Sequence, residues 1–534
     1  MTKMSENKHL RILSFFLLLL ILTVHIYPES TWAAEMTDIR VGLEALYKNK
    51  SSVMIYNSNI ALGFCVGNRY SAELELESAT GFSFTPDKGT YYEDQNNYPT
   101  FAKAMSICGM YEHGGATAFP EYAGTGCWKC CVTASSYNTL AGSDMKDMVR
   151  DLKKKEPNAY LVRISGQNTT LLIDGEQAGA YPQIKALNPT NNIYSLNLGT
   201  RSYRGRIEIG RYNGSSTLTA VNIINIESYL LGVVTSEMNH TWHKEALKAQ
   251  AVCSRSFAYQ RAGFGADSNL KNPYNIEDTT ASQVYKGVGA ETPESLEAVT
   301  STTKQIVMSG GKPIDAFFFS TSGGATDEIM DIWGVKSGVY RGVFDIYEKN
   351  PEKKPWMYDF TAEEVSKKLA DAGYDVGKVR SIEPTILTQS GRVYRCRIKG
   401  DKKTVTLSGT KIRSIFDFSD TKFRVITGGR DDDIVYAVGE DTNSSLKLKD
   451  SYVITSSGTV RLSDNKEQYI LITDGNLYNV PSSLPDPGVF RFIGMGWGHG
   501  VGMSQSGAEG MASEGYDYGQ IIAFYFNEAE IGTY

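Results

Sequence analysis

Glu237 is the residue of this sequence whose surroundings best suit acid catalysis. It lies near the end of residues 229–238, Tyr-Leu-Leu-Gly-Val-Val-Thr-Ser-Glu-Met, just ahead of a stretch of good helix formers from Trp242 to about Arg261. Asn225 predicts an N-cap for the first, shorter helix, which ends near residues 236–238. In the second, Leu247, Ala251, Ser254 and Ala258 recur at helical spacing as a mostly small-residue stripe that permits close packing. A carboxyl group held between two packed helices and shielded from water has a raised pKa, the property a general acid needs at neutral pH. The alternative is a solvated or capping glutamate.

Two further segments could line a site. Residues 317–324, Phe-Phe-Phe-Ser-Thr-Ser-Gly-Gly, read as an apolar strand running into a turn that brings the hydroxyls of Ser320, Thr321 and Ser322 to one rim. Residues 494–507 contain six glycines, so the backbone can approach a ligand closely while His499, Ser504 and Gln505 offer polar groups. Trp497 in the same run offers a flat face for a sugar ring. The run lacks the G-K-[ST] of a phosphate loop, and its glycines do not open a helix as a dinucleotide site does. Glu237, His240 and His243 are spaced to spread over about 120° of a helix and lack the H-E-x-x-H order, so no metal is expected there. Cys127, Cys130 and Cys131 form a C-x-x-C-C cluster with Cys65 and Cys108 upstream. It reads as a redox pair or metal site, or, more in keeping with an exported chain, as structural disulfides and buried thiols.

These residues need a multidomain scaffold. The chain has 534 residues, 41% hydrophobic and 21% charged, enough for roughly three to four domains of about 150 residues each. Its net charge of −6 lacks the basic excess of a phosphate-binding surface, so nucleic acid is excluded as a main partner. Fifty-one glycines and 32 tyrosines favour turns and strands, and the expected class is α+β. Lys3, Lys8 and Arg11 precede an apolar run over residues 12–27, with Ala33 and Ala34 beyond it, so residues 1–34 read as a secretory signal or a membrane anchor. Either places the rest of the chain outside the cytoplasmic membrane.

Residues 35–215 read as a β-rich, α+β region with strands near 41–43, 51–55 and 159–164, a helix over 143–155 and a hairpin turn at 166–169. Its segment 131–173 resembles the glycan-binding repeats called SPOR domains. Residues 361–480 read as an inserted α+β lobe that opens on a T-x-x-E capping box at Thr361 and carries a strand at 393–398. Because the motifs on either side of it must meet, the catalytic domain is split into 216–360 and 481–534.

Four segments, taken in order, resemble the stage II sporulation protein D family, which also contains the amidase enhancer LytB. They are residues 229–238, residues 242–255 with Trp242, Glu-Ala-Leu-Lys-Ala-Gln-Ala-Val and Arg255, residues 319–324, and residues 496–505. The resemblance covers about 216–534. It implies a lytic transglycosylase of bacterial cell-wall glycan that works with a partner amidase in sporulation or wall remodelling. Glu237 is then the catalytic acid, with Arg255, Ser320, Thr321, Ser322, Trp497, His499 and Gln505 lining the substrate cleft. Residues 278–285 align too, but some relatives place Cys and His where this chain has Glu277, Ala281 and Ser282, and neither metal nor cofactor is expected. One acid suffices for this chemistry, because the C6 hydroxyl of N-acetylmuramic acid attacks the oxocarbenium-like centre once the glycosidic oxygen is protonated. The competing expectation is a non-catalytic, glycan-binding enhancer of an amidase.

Overall fold

The computed structural model describes residues 38–428 and 485–534, apart from 67–68, 142–145, 178, 264–272 and 349–354; between 429 and 484 it describes only the backbone of short hairpin strands. The expected signal or anchor lies outside the described residues. The molecule is α+β, with several sheets and separate hydrophobic cores.

A seven-stranded sheet supports the Glu237 helix. Its order is Ile276–Glu277, Asp38–Gly42, Thr219–Asn225, Arg206–Gly210, Gln183–Ala186, Asn59–Val66 and Arg69–Glu77. Thr219–Asn225 is buried on both faces between Asp38–Gly42 and Arg206–Gly210, and it feeds directly into the helix Ile226–Glu237. The boundary expected near 215 therefore falls inside one sheet. One hydrophobic core runs without a break from Ile39 and Ile184 to Tyr229, Val252 and Ile521.

The first region also holds an eight-stranded sheet, from Val53–Ile55 at one edge to Leu152–Lys155 at the other. The hairpin expected at 166–169 is present, with Gly166 opposite Thr169. The helix expected over 143–155 is not: its described residues form one turn, Lys146–Val149, and then the strand Leu152–Lys155. That strand pairs with Tyr91–Asp94 and brings the Lys155 ammonium to the buried carboxylates of Glu121 and Asp174, a tertiary demand that overrides the helical spacing. Cys130 forms a disulfide with Cys108 on the helix Phe101–His113. Cys127 and Cys130 are three apart on an extended strand and so point to opposite faces, which prevents C-x-x-C closure. Cys65, Cys127, Cys131, Cys253 and Cys396 are free thiols, and Cys131 donates to Glu121 Oε2 at 2.7 Å.

The inserted lobe has its own core around Val365, Leu369, Cys396, Ile398, Ile412 and Phe492. Its first helix, Ala362–Asp371, begins with the expected Thr361/Glu364 capping box. The lobe is wider than 361–480, because Trp356–Thr361 pairs with Val489–Gly494, which also pairs with Phe423–Thr427.

Candidate active site

The Glu237 helix starts where expected. Asn225 Oδ1 accepts from the Glu227 N–H at 2.9 Å, and the next helix, Lys244–Ala262, is capped by His243. Glu237 is the last residue of its helix and half-buried. Burial lifts its carboxyl pKa to about 7 against the opposing pull of the Val284 N–H, the Gln505 amide and Lys286. The negative end of the helix dipole acts in the same direction as burial.

Glu237 Oε1 accepts from the Val284 N–H at 2.5 Å, and Oε2 faces Gln505 Nε2 at 3.5 Å. Gln505 is the first residue of the helix Gln505–Ser513, and its amide also reaches Gln250 Oε1 at 3.3 Å. Gln250 in turn donates to Ser254 Oγ at 2.9 Å, Gln283 donates to the Ser254 carbonyl at 3.3 Å, and the Tyr229 hydroxyl donates to Gln283 Oε1 at 3.2 Å. A chain of neutral amides and hydroxyls thus backs the acid. It fixes the carboxyl without supplying a charge that would hold it ionised.

The third and fourth motifs meet as the split domain requires. Phe318–Phe319 pairs in parallel with Met503–Ser504, and Thr321 exchanges backbone hydrogen bonds with Trp497 at 3.1 and 2.9 Å. The Ser320 carbonyl accepts from both the N–H and the hydroxyl of Ser506, the residue after Gln505. These contacts run from Glu237 through Gln505 and Ser506 to Ser320, Thr321 and Trp497. Trp497 is 54% exposed.

The other expected residues are placed differently. Thr321 and Ser322 are buried, and Ser322 donates to Glu348 instead of facing solvent. His499 packs among Phe317, Phe319 and Trp333, with ring centroids 5.1–6.3 Å away. Burial, with Arg413 and Arg392 nearby, pushes its pKa down to about 3, and its Nδ1 accepts from the Val501 N–H at 3.1 Å. Neutral and caged, it shapes the glycine-rich loop. Arg255 is fully buried: its guanidinium grips both Glu227 oxygens at 2.8 and 2.7 Å and reaches Thr302 and the carbonyls of Gln305 and Val299. It ties the first helix to the helix Pro293–Ser301 and takes no place beside Glu237.

Comparison with known proteins agrees with the first two motifs. Residues 214–308, which span both helices and the Val284 loop, match the family model described as "Stage II sporulation protein". An uncharacterised protein of Brachyspira hyodysenteriae is 30% identical over 332 residues, covering 62% of this chain and 73% of that one. The chain belongs to the stage II sporulation protein D family. Two similar members are from Bacillus subtilis. Its stage II sporulation protein D is 27% identical over 58% of this chain and 76% of its own length, and its amidase enhancer is 27% identical over 57% and 40%. Among the neighbours of Glu237 that the sequence does not single out are Gln250, Gln283, the Val284 N–H and Lys286. Gln250 alone had a signal, as a polar residue one helical turn before Ser254 within a packed stripe.

Proposed function

We propose that this protein is a lytic transglycosylase of peptidoglycan, acting outside the cytoplasmic membrane on the bond between N-acetylmuramic acid and N-acetylglucosamine. The observation that carries the reading is Glu237, half-buried at a helix end with its pKa lifted to about 7, so that a large fraction of it is a neutral acid under physiological conditions. Oε1 is committed to the Val284 N–H, which leaves Oε2 to hold the proton. That proton passes to the glycosidic oxygen as its bond to the muramic C1 breaks. The carboxylate so formed then takes the proton of the sugar's C6 hydroxyl as that oxygen bonds to C1, which closes the 1,6-anhydro ring and restores the acid. Trp497 provides a stacking face for the strand. The family's stage II sporulation and amidase enhancer names support a role at the cell wall, and the latter supports an amidase as partner.

The test is digestion of peptide-free glycan strands by the purified protein and by Glu237→Ala, with mass spectrometry of the products. Anhydromuramic ends from the first and none from the second are expected. Binding to strands without any cleavage by the unmutated protein would overturn the reading in favour of a non-catalytic amidase enhancer.

A further inference from the structure

Arg392 belongs to the inserted lobe, on the turn ahead of its strand Val393–Gly400, yet its fork reaches out of the lobe to the 320–327 turn and lies against the glycine-rich loop. Its side chain is fully buried. Nη2 donates to the Ser322 carbonyl at 2.8 Å, and Nη1 donates to the Ala325 carbonyl at 2.7 Å and to Asp327 Oδ2 at 3.3 Å. The fork is held from the lobe side by Asp420, with Nε to Oδ1 at 2.8 Å and Nη2 to Oδ2 at 3.1 Å, and by Ser390 Oγ at 3.0 Å. The glycine-rich loop lies directly on this fork. A β-carbon on Gly500 would come within 2.5 Å of the guanidinium carbon, and one on Gly496 within 2.6 Å of an Asp420 oxygen. Asp327, itself gripped by Arg392 and Ser390, returns its N–H to the Gly500 carbonyl at 2.7 Å. Other lobe residues extend the contact: Lys422 Nζ donates to the Gly323 carbonyl at 2.7 Å, Trp356 Nε1 to the Gly496 carbonyl at 3.2 Å, and the Ser419 carbonyl accepts from the Gly498 N–H at 2.9 Å.

We propose that Arg392 is a positioning residue of the cleft. From behind, it locks the 320–327 turn and the 496–502 loop into one register, so that the helix beginning at Gln505 meets Glu237. Five donors in a rigid plane satisfy carbonyls of one loop, the carboxylate of Asp327, whose backbone N–H bonds the other loop, and a lobe carboxylate at once, which no other side chain can reproduce. The inserted lobe is then part of the catalytic architecture, not an appendage. The kinetic consequence rests on the transglycosylase reading; the clamp itself does not.

The experiment uses the full chain with Arg392→Lys, which keeps the charge but loses the fork, and Asp420→Asn, a milder change that removes the charge holding the fork and decides the matter if the lysine variant does not fold. Hydrogen exchange by mass spectrometry is expected to show faster exchange in 320–327 and 496–506 with the Lys244–Ala262 helix unchanged. On glycan strands kcat is expected to fall about tenfold or more with KM within about twofold. A folded variant with unaltered exchange in both segments, or with faster exchange confined to the lobe, overturns the proposal. Faster exchange in both loops of the variant, alongside an unmutated protein that cuts nothing, sinks the reaction and leaves the clamp standing.

Discussion

The backbone N–H of Val284 donates to Glu237 Oε1 at 2.5 Å, and this bond divides the labour of the two carboxyl oxygens. One oxygen is pinned as an acceptor. The other faces a weak donor 3.5 Å away, and it is the oxygen that carries the proton in the proposed reaction.

Replacing Glu237 by Gln is expected to lower cleavage of glycan strands by about 100-fold or more, the usual contribution of a general acid. In the unmutated protein the acid must be protonated to start the reaction. With its pKa raised to about 7, activity should decline as pH rises through that value. A kcat/KM profile on peptide-free strands checks this; a flat profile between pH 6 and about 8.5 would count against Glu237 as the acid.

The same shift has a thermodynamic side. A carboxyl whose folded pKa is raised favours the fold most when protonated, and that contribution is lost as pH rises through about 7. Glu237→Gln should therefore raise Tm by about 2–4 °C at pH 8 and leave it nearly unchanged at pH 4, as followed by circular dichroism.

Arg255 should behave as a core residue. Arg255→Ala leaves Glu227 buried without its cation and is expected to cost about 3–5 kcal/mol in chemical denaturation. Substrate KM, measured on whatever fraction remains folded, should not change. A stable variant with a raised KM would instead place Arg255 on the substrate.

Trp497→Ala should raise KM for glycan strands several-fold with little change in kcat or Tm, because Trp497 is an exposed residue and its backbone bonds to Thr321 survive the substitution. Steady-state kinetics set against thermal melts separate the two effects.

Loss of the disulfide by Cys108→Ser should destabilise the first region by about 3 kcal/mol, read by denaturation under oxidising conditions. Strand cleavage should persist below the transition.

What could be read from sequence was what neighbours in the chain decide. The Asn225 cap, the Thr361/Glu364 box, the Gly166 to Thr169 hairpin and the Glu237 junction all depend on residues within one or two turns. Partnerships across the fold were hidden. Arg255 stands one residue past Ser254, about 100° around the helix, so it faces Glu227 while Gln250 and Ser254 face the acid's amide chain. The Val284 N–H carries no residue-type signature at all. His499 carries one, but only the rings of Phe317, Phe319 and Trp333 reveal that it is caged. The domain boundary at 215 failed for a similar reason, since strand Asp38–Gly42 pairs with a strand some 180 residues later.

Glu237 and Gln505 stand 268 residues apart, and the strand Glu530–Thr533 pairs with Gln305–Ser309, whose first residue also accepts from Arg255. In time, then, the acid is synthesised long before its cleft. A chain cut short by translation or proteolysis anywhere ahead of the glycine-rich loop carries Glu237 but lacks the helix whose Gln505 meets it. Under the proposed reaction, the acid is present in the growing chain well before the loop and helix that complete its surroundings, which delays any cutting until residues 496–513 have followed.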